Sequence, residues 1–264
     1  MMDILDKHAL AKDYYVMGII GEGAFGLVKV ALHRVTEIMV AIKILERSPS
    51  RENLISNEIQ LLKSLHHRHI IQLLQVIQSR HKTYLVMEHA ARGSLKRRVT
   101  KSGHLKEKEA RILFRELTLA IKYIHSQKIA HRDIKPENIL IDWQGHVKLS
   151  DFGLAQRLVS GEKVRGLWGT RQYCAPEVFG HKQYDALPPD IWSLGVVLYF
   201  LVTEHLPFRE TEYYTLEEQI ILRNCWIPPH LSPELQDLLN RLMTVDPTKR
   251  PSIEEVIAHP WLST

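Results

Sequence analysis

Hydrophobic periodicity changes character near residue 90, and that change limits the architectures open to this chain. Before it, apolar residues fall into short strand-like runs. Val16-Met-Gly-Ile-Ile20 and Gly26-Leu-Val-Lys-Val-Ala-Leu32 flank a glycine-rich turn and read as a hairpin. Residues 38–45 form a third expected strand, and 70–77 and 83–88 two more. Residues 52–65 carry apolar side chains at 54, 55, 59, 61, 62 and 65, a helical spacing. After His89-Ala-Ala-Arg-Gly-Ser94 the pattern turns helical. Ala110, Leu113, Leu117, Ala120, Ile121 and Ile124 share one stripe of an amphipathic helix over 107–125. Further helices are expected near 190–203, 215–221, 233–243 and 252–258, the last two opening on Ser232-Pro233-Glu234 and Ser252-Ile-Glu-Glu255. The expected fold class is therefore α+β: a small β-rich lobe with one main helix, then a larger α-helical lobe. A cleft between two such lobes is a natural place for a small molecule.

Composition narrows the function classes. The 264 residues include 35 Lys+Arg and 30 Asp+Glu, a formal charge of +5, with 45% hydrophobic and 25% charged residues. These are globular values, and they exclude a disordered chain or a fibrous rod. Two cysteines, Cys174 and Cys225, do not make a disulfide framework and fit a reducing compartment. The longest apolar run, over 191–202, is well short of the ~20 residues a membrane span needs. The first eight residues lack the pattern of a secretory signal. The cytoplasm is the expected location, with the nucleus as an alternative, and no membrane partner is expected. A pI near 9.1 invites a nucleic-acid reading. The densest basic cluster, Lys96-Arg97-Arg98 with Lys101, is short and reads as solvated surface, so no nucleic-acid partner is expected.

Five motifs carry chemistry. Gly21-Glu-Gly-Ala-Phe-Gly-Leu-Val28 lets backbone N–H groups approach a polyphosphate, although alone it reads equally as an ordinary hairpin loop. Its glycines sit between strands and do not open a helix, so it is not a dinucleotide fingerprint. Val40-Ala-Ile-Lys43 places a lysine in an apolar strand, where it needs a partner such as Glu58 or must turn to solvent. His131-Arg-Asp-Ile-Lys-Pro-Glu-Asn138 groups a potential base, Asp133, a cation, Lys135, and a metal-binding amide, Asn138. Asp151-Phe-Gly153 and Ala175-Pro-Glu177 follow. Two acids on neighbouring loops can divide labour, one orienting a hydroxyl and one holding Mg²⁺.

In this order the five motifs resemble those of the eukaryotic protein kinases, over nearly the whole chain. The phrases His66-His-Arg-His-Ile-Ile71, Leu105-Lys-Glu-Lys-Glu-Ala-Arg111 and His259-Pro-Trp-Leu262 resemble the calcium/calmodulin-dependent group and, within it, the AMP-activated and microtubule-affinity-regulating branch. Tyr173-Cys-Ala-Pro-Glu177 and Leu242-Met-Thr-Val-Asp-Pro247 look closest to the sperm motility kinases. The resemblance implies a two-lobed kinase fold over 15–262 after a short lead at 1–14. The N-lobe would cover 15–88, the hinge 88–93 and the C-lobe 94–262. It implies ATP and Mg²⁺ as cofactors and Ser/Thr hydroxyls of proteins as substrates. Ile20, Gly21, Glu22, Gly23, Ala24, Phe25 and Gly26 would cover the phosphates, with Lys43 on the α- and β-phosphates and Glu58 holding it. Val28, Ala41 and Leu140 would sandwich the adenine beside Met87, and Glu88 and Ala90 would offer it backbone hydrogen bonds. Asp133 and Lys135 would be catalytic, and Asn138 and Asp151 would hold the metal. Arg250 would pair with Glu177, and His131 would pack beneath Asp151.

The chain also departs from the pattern. Where those kinases carry a phosphorylatable Thr, four residues before Thr170, it has Gly166. Arg132, expected to grip that phosphate, would be left in an unpaired positive cluster with Arg165. Activation without conventional phosphorylation is therefore expected. The alternative is a weakly active scaffold on the same fold, which loss of Lys43, Asp133 or Asp151 would favour, and none is lost. Lys96-Arg97-Arg98 and Arg171 stand where relatives are less basic, arguing against a strong preference for basic peptides. With Thr264 following the last domain helix, a kinase working as a bare domain, or a truncated product, is expected.

Overall fold

The computed structural model describes residues 10–23, 26–159 and 161–263. Five antiparallel strands form the first lobe: β1 (Tyr14–Gly23), β2 (Gly26–His33), β3 (Met39–Glu46), β4 (Leu73–Gln78) and β5 (Lys82–Glu88), in the order β1-β2-β3-β5-β4. The register pairs Val28 with Lys43 and Ala41 with Met87, so the glycine-rich hairpin, the lysine strand and β5 are locked side by side. Val40, Ile42 and Ile44 pack with Tyr84 and Val86 in a small separate core.

Helix α1 (Glu52–Ser64) turns Ile55, Leu61 and Leu62 inward and buries Glu58 among them. A buried carboxylate in that company needs a partner, which ties the helix to β3. The strand expected from residue 70 begins at Leu73 instead. Ile70 bridges Leu149, and the Ile71 N–H donates to the Leu149 carbonyl at 2.9 Å. These two isoleucines are spent joining the sheet to the second lobe, which leaves them outside the β4 ladder.

Short elements that periodicity did not show follow the crossover. They are β6 (Gly93–Ser94), α2 (Leu95–Ser102), β7 (Ile129–Ala130), β8 (Ile139–Ile141), β9 (Val147–Leu149) and β10 (Gln156–Arg157). Strands of two or three residues are too brief for an alternation signal. They pair as β6-β8-β9 and β10-β7, and so fix the loops on either side of Asp133 and Asp151. Helix α3 (Glu107–Ser126) buries the expected stripe. Helix α4 (Pro188–Thr203) is apolar all round and buried from Pro189 to Val202, as a central core helix must be. Helix α6 (Pro233–Leu242) packs against it, α7 (Ile253–Ile257) and α8 (Pro260–Ser263) pack against α3, and α5 (Leu216–Ile221) lies against the turn at Pro176–Phe179. Arg250, whose side chain is fully buried, donates to both oxygens of Glu177 at 2.6 and 3.0 Å, as expected from the sequence. Among the described residues no helix is long and apolar enough to cross a membrane.

Candidate active site

Three charges from three elements meet at the lobe junction. Lys43 Nζ on β3 lies 2.6 Å from Glu58 Oε1 on α1 and 2.8 Å from Asp151 Oδ1. Burial pulls the Lys43 ammonium down, but the two carboxylates outweigh it and hold the lysine above its ordinary value. Burial pushes the Asp151 carboxyl up. The charge and hydrogen bond of Lys43 outweigh that and keep it below the usual carboxylate range. Lys43 is thus a fixed cation, and its alternative as a solvated strand-edge side chain is excluded by its 6% exposure.

A second cluster surrounds Asp133. Its Oδ1 accepts from the Thr170 N–H at 3.0 Å and from Thr170 Oγ1 at 2.8 Å. Its Oδ2 takes Lys135 Nζ at 2.8 Å and Asn138 Nδ2 at 3.1 Å. Lys135 Nζ also donates to Thr170 Oγ1 at 2.9 Å. A hydroxyl is therefore seated against the Asp133 carboxylate with a lysine ammonium beside it. The Asn138 amide also donates to the Asp133 carbonyl at 2.8 Å, which spends its nitrogen on Asp133 and leaves its oxygen available as an acceptor or hard donor atom. The Asn138 carbonyl accepts from the N–H and Oγ of Ser150, both at 2.9 Å, so Asn138 is tied to the residue preceding Asp151.

The catalytic loop is held from below by groups that motif reading left unassigned. Asp190, fully buried at the start of α4, accepts from the N–H groups of His131 and Arg132 and pairs with His125 Nε2, all at 2.9 Å. Burial raises its carboxyl. Hydrogen bonds and the charges of His125 and His131 outweigh this and hold it below the ordinary range. An acid inside an otherwise apolar helix was the available signal, because it is costly unless it bonds something specific. His131 Nε2 lies 3.1 Å from the Ser150 carbonyl and its ring meets Phe152 edge-on, so it does pack beneath Asp151. Arg132 and Asp151 both have left-handed backbone, φ 66° and 62°. Such strain in a non-glycine residue persists only where its surroundings over-determine it.

The remaining expected residues are placed as follows. Gly21 pairs with Val28, Glu22 with Leu27 and Gly23 with Gly26 across the hairpin. Ile20 lies at an irregularity of β1 and is half exposed. Gly26 has φ 148°, and a Cβ there would run into the Ile44 carbonyl oxygen. Ala24 and Phe25 lie outside the described residues. Val28, Ala41 and Met87 sit on three neighbouring strands, and Leu140 on β8 faces Ser94 and Lys148 in the ladder. The Glu88 carboxylate binds Lys148 Nζ at 3.0 Å, and Ala90 is buried with its carbonyl on the Gly93 N–H.

One expectation on charge, the unpaired Arg132, is corrected, and the other basic residues are placed as follows. Of the basic cluster, Lys96 Nζ lies 4.5 Å above the Phe200 ring and Arg98 pairs with Glu109, while Arg97 and Lys101 are exposed. Arg132 is not left unpaired: it has partners throughout the segment after Asp151, described below. Arg171 also has a partner, Glu217, at 2.6 Å. The Cys174 thiol, near Asp133, is pushed by burial up to about 12 and is no nucleophile.

Comparison with known proteins agrees with this geometry. A family model described as the protein kinase domain matches residues 14–262. The chain is 42% identical to sperm motility kinase 3A of Mus musculus over 260 residues, covering 98% of this chain and 52% of that protein. It is 42% identical to the serine/threonine-protein kinase SIK2 of Gallus gallus over 252 residues, covering 94% and 32%. It is 39% identical to the probable serine/threonine-protein kinase MARK-A of Dictyostelium discoideum over 256 residues, covering 96% and 24%. The chain spans about half the length of the sperm motility kinase it matches. The match extends through both lobes and every motif that builds the two charge clusters, and the chain belongs to the protein kinase domain family.

Proposed function

We propose that this chain is a serine/threonine protein kinase that transfers the γ-phosphoryl group of ATP to Ser or Thr hydroxyls of proteins. The observation that carries this reading is the Thr170 hydroxyl, 2.8 Å from Asp133 Oδ1 and 2.9 Å from Lys135 Nζ. An aliphatic hydroxyl seated against this carboxylate with a cation at its side supports the reading. A substrate hydroxyl in the same relation would be oriented by Asp133. As its oxygen bonds the γ-phosphorus and the bond to the ADP oxygen breaks, its proton passes to the Asp133 carboxylate. Lys135 would steady the transferring phosphoryl, and Lys43, fixed by Glu58, the α- and β-phosphates. The adenine would lie among Val28, Ala41, Leu140 and Met87, against the backbone of Glu88 and Ala90.

Asn138 and Asp151 fit Mg²⁺. An amide oxygen and a carboxylate are hard donors, and one or two protein ligands beside substrate phosphates are how this ion is commonly held. Bound there, the ion would neutralise charge on the phosphates. Addition of Mg²⁺ and ATP should raise the melting temperature by a few degrees, since a ligand at about 100 times its Kd stabilises by about 2.7 kcal/mol. Asp151→Asn should abolish the Mg²⁺-dependent part of that shift and the phosphate transfer. An equal shift and equal transfer in both proteins would refute the assignment.

The same reading includes activity without phosphorylation at the usual activation position. Gly166 has no hydroxyl and a φ of 98°, and its carbonyl accepts from the Tyr184 hydroxyl at 2.8 Å. A threonine placed there would strain the backbone, so the informative comparison is of phosphate-free and untreated wild-type protein. Phosphatase treatment should leave the turnover unchanged, and a fall of tenfold or more would count against this reading.

A further inference from the structure

Arg132 adjoins Asp133, and among the described residues its side chain hydrogen-bonds into the segment that follows Asp151. Nε donates to the Leu154 carbonyl at 2.6 Å, and Nη1 to Gln156 Oε1 at 2.8 Å. The other end of that amide, Gln156 Nε2, donates to Glu162 Oε1 at 3.2 Å, while Glu162 Oε2 accepts the Val159 N–H at 2.8 Å. The guanidinium carbon lies 4.6 Å from the centre of the Trp168 ring, and the indole N–H donates to the Arg165 carbonyl at 3.1 Å. One cation is thus clasped from two directions, by an amide that relays it to a carboxylate and by an aromatic face. Val164 pairs with Tyr184 through two 2.9 Å backbone bonds, closing the far end of the segment on the second lobe.

We infer that Trp168 and the Gln156–Glu162 pair are positioning residues, which hold residues 154–170 against Arg132 and thereby fix Thr170 and Asp133 with no phosphate in the segment. This deepens, and rests on, the kinase reading above. The physical reason is complementarity. A partly buried guanidinium is stabilised either by an anion or by a combination of carbonyl dipoles and a π-face, and here Nε, Nη1 and the guanidinium face have partners of the second kind. Glu162 supplies an acid to Arg132 through an intervening amide, four residues before Gly166.

The test uses full-length protein freed of phosphate, with the variants Trp168→Phe, Trp168→Leu, Gln156→Ala and Glu162→Gln. Hydrogen exchange is followed in peptides covering 154–170, with peptides of the central helix α4 as the control for global folding. Peptide and ATP kinetics are measured in parallel. Trp168→Leu and Gln156→Ala should speed exchange in 154–170 and lower kcat/KM for the peptide by about fivefold, the scale of one cation–π contact. The KM for ATP should not move. Trp168→Phe, which keeps a π-face, should restore wild-type behaviour, whereas a role in packing alone would be served equally by leucine. Trp168→Leu indistinguishable from wild type, or Trp168→Phe as impaired as Trp168→Leu, would overturn the inference. If wild type transfers no more phosphate than Asp133→Asn, the kinase reading fails, and the exchange data still decide whether these residues hold the segment.

Discussion

Single residues at this site act only through their partners. Lys43 is useful as a cation because Glu58 and Asp151 hold it in a buried place where an isolated ammonium would lose its proton. Glu58→Gln should therefore leave a folded protein whose KM for ATP rises and whose kcat/KM falls by about tenfold or more, measured by initial rates. Unchanged kinetics would show that Glu58 has no part in ATP binding. Most of these residues were legible from sequence, because each motif sets several functional groups at fixed spacing. Asp190, His125, Gln156 and Trp168 were not. Their roles arise from contacts between residues 58 to 65 positions apart, as for Asp190 with the catalytic loop, or from a ring that happens to lie over a guanidinium. The partners of Arg132 are invisible in the sequence for the same reason, since a relay through an amide leaves no local pattern.

At the scale of elements, α4 is the platform for the catalytic loop. Asp190 near its start binds two successive loop N–H groups, and its interior is closely packed. A Cβ at Gly195 would lie 2.8 Å from both Leu242 Cβ and Met243 Cγ. Gly195→Ala should therefore cost roughly 1–3 kcal/mol by overpacking, read from urea unfolding. A neutral result would mean that α6 can shift without loss. Asp190 also sets a pH dependence. Its carboxyl is held below the ordinary value, so its stabilisation is present above the unfolded pKa of about 3.9 and is lost as pH falls through the lower folded value. Asp190→Asn should be less stable than wild type from pH 6 to 8, with the gap closing below about pH 4. A gap that persists undiminished in acid would contradict this sign. The long helices were legible because their stripes repeat over several turns. The two- and three-residue strands were not, and neither was α2, whose eight residues carry only two buried side chains.

For the molecule as a whole, the two lobes meet through Lys43–Asp151 and Glu88–Lys148, and through the backbone bonds of His69 and Ile71 with Leu149. Asn57 Nδ2 on α1 also donates to the Ala155 carbonyl at 2.9 Å, joining the first-lobe helix to the segment that Arg132 holds. The arrangement is one connected scaffold, so the change in periodicity near residue 90 marks a junction and not a division into independent parts. Arg132 finds its side-chain hydrogen bonds and its aromatic contact within the segment after Asp151, in keeping with the proposed kinase whose activation segment is ordered by its own side chains. The most direct measurement is transfer of labelled γ-phosphate from ATP to a Ser/Thr peptide library by phosphate-free protein, run beside Asp133→Asn. Wild type should transfer phosphate with Mg²⁺ present, and the variant should lose about 10²-fold or more, the usual scale for a general base. Equal transfer by the two proteins, or none by either, would contradict the kinase reading.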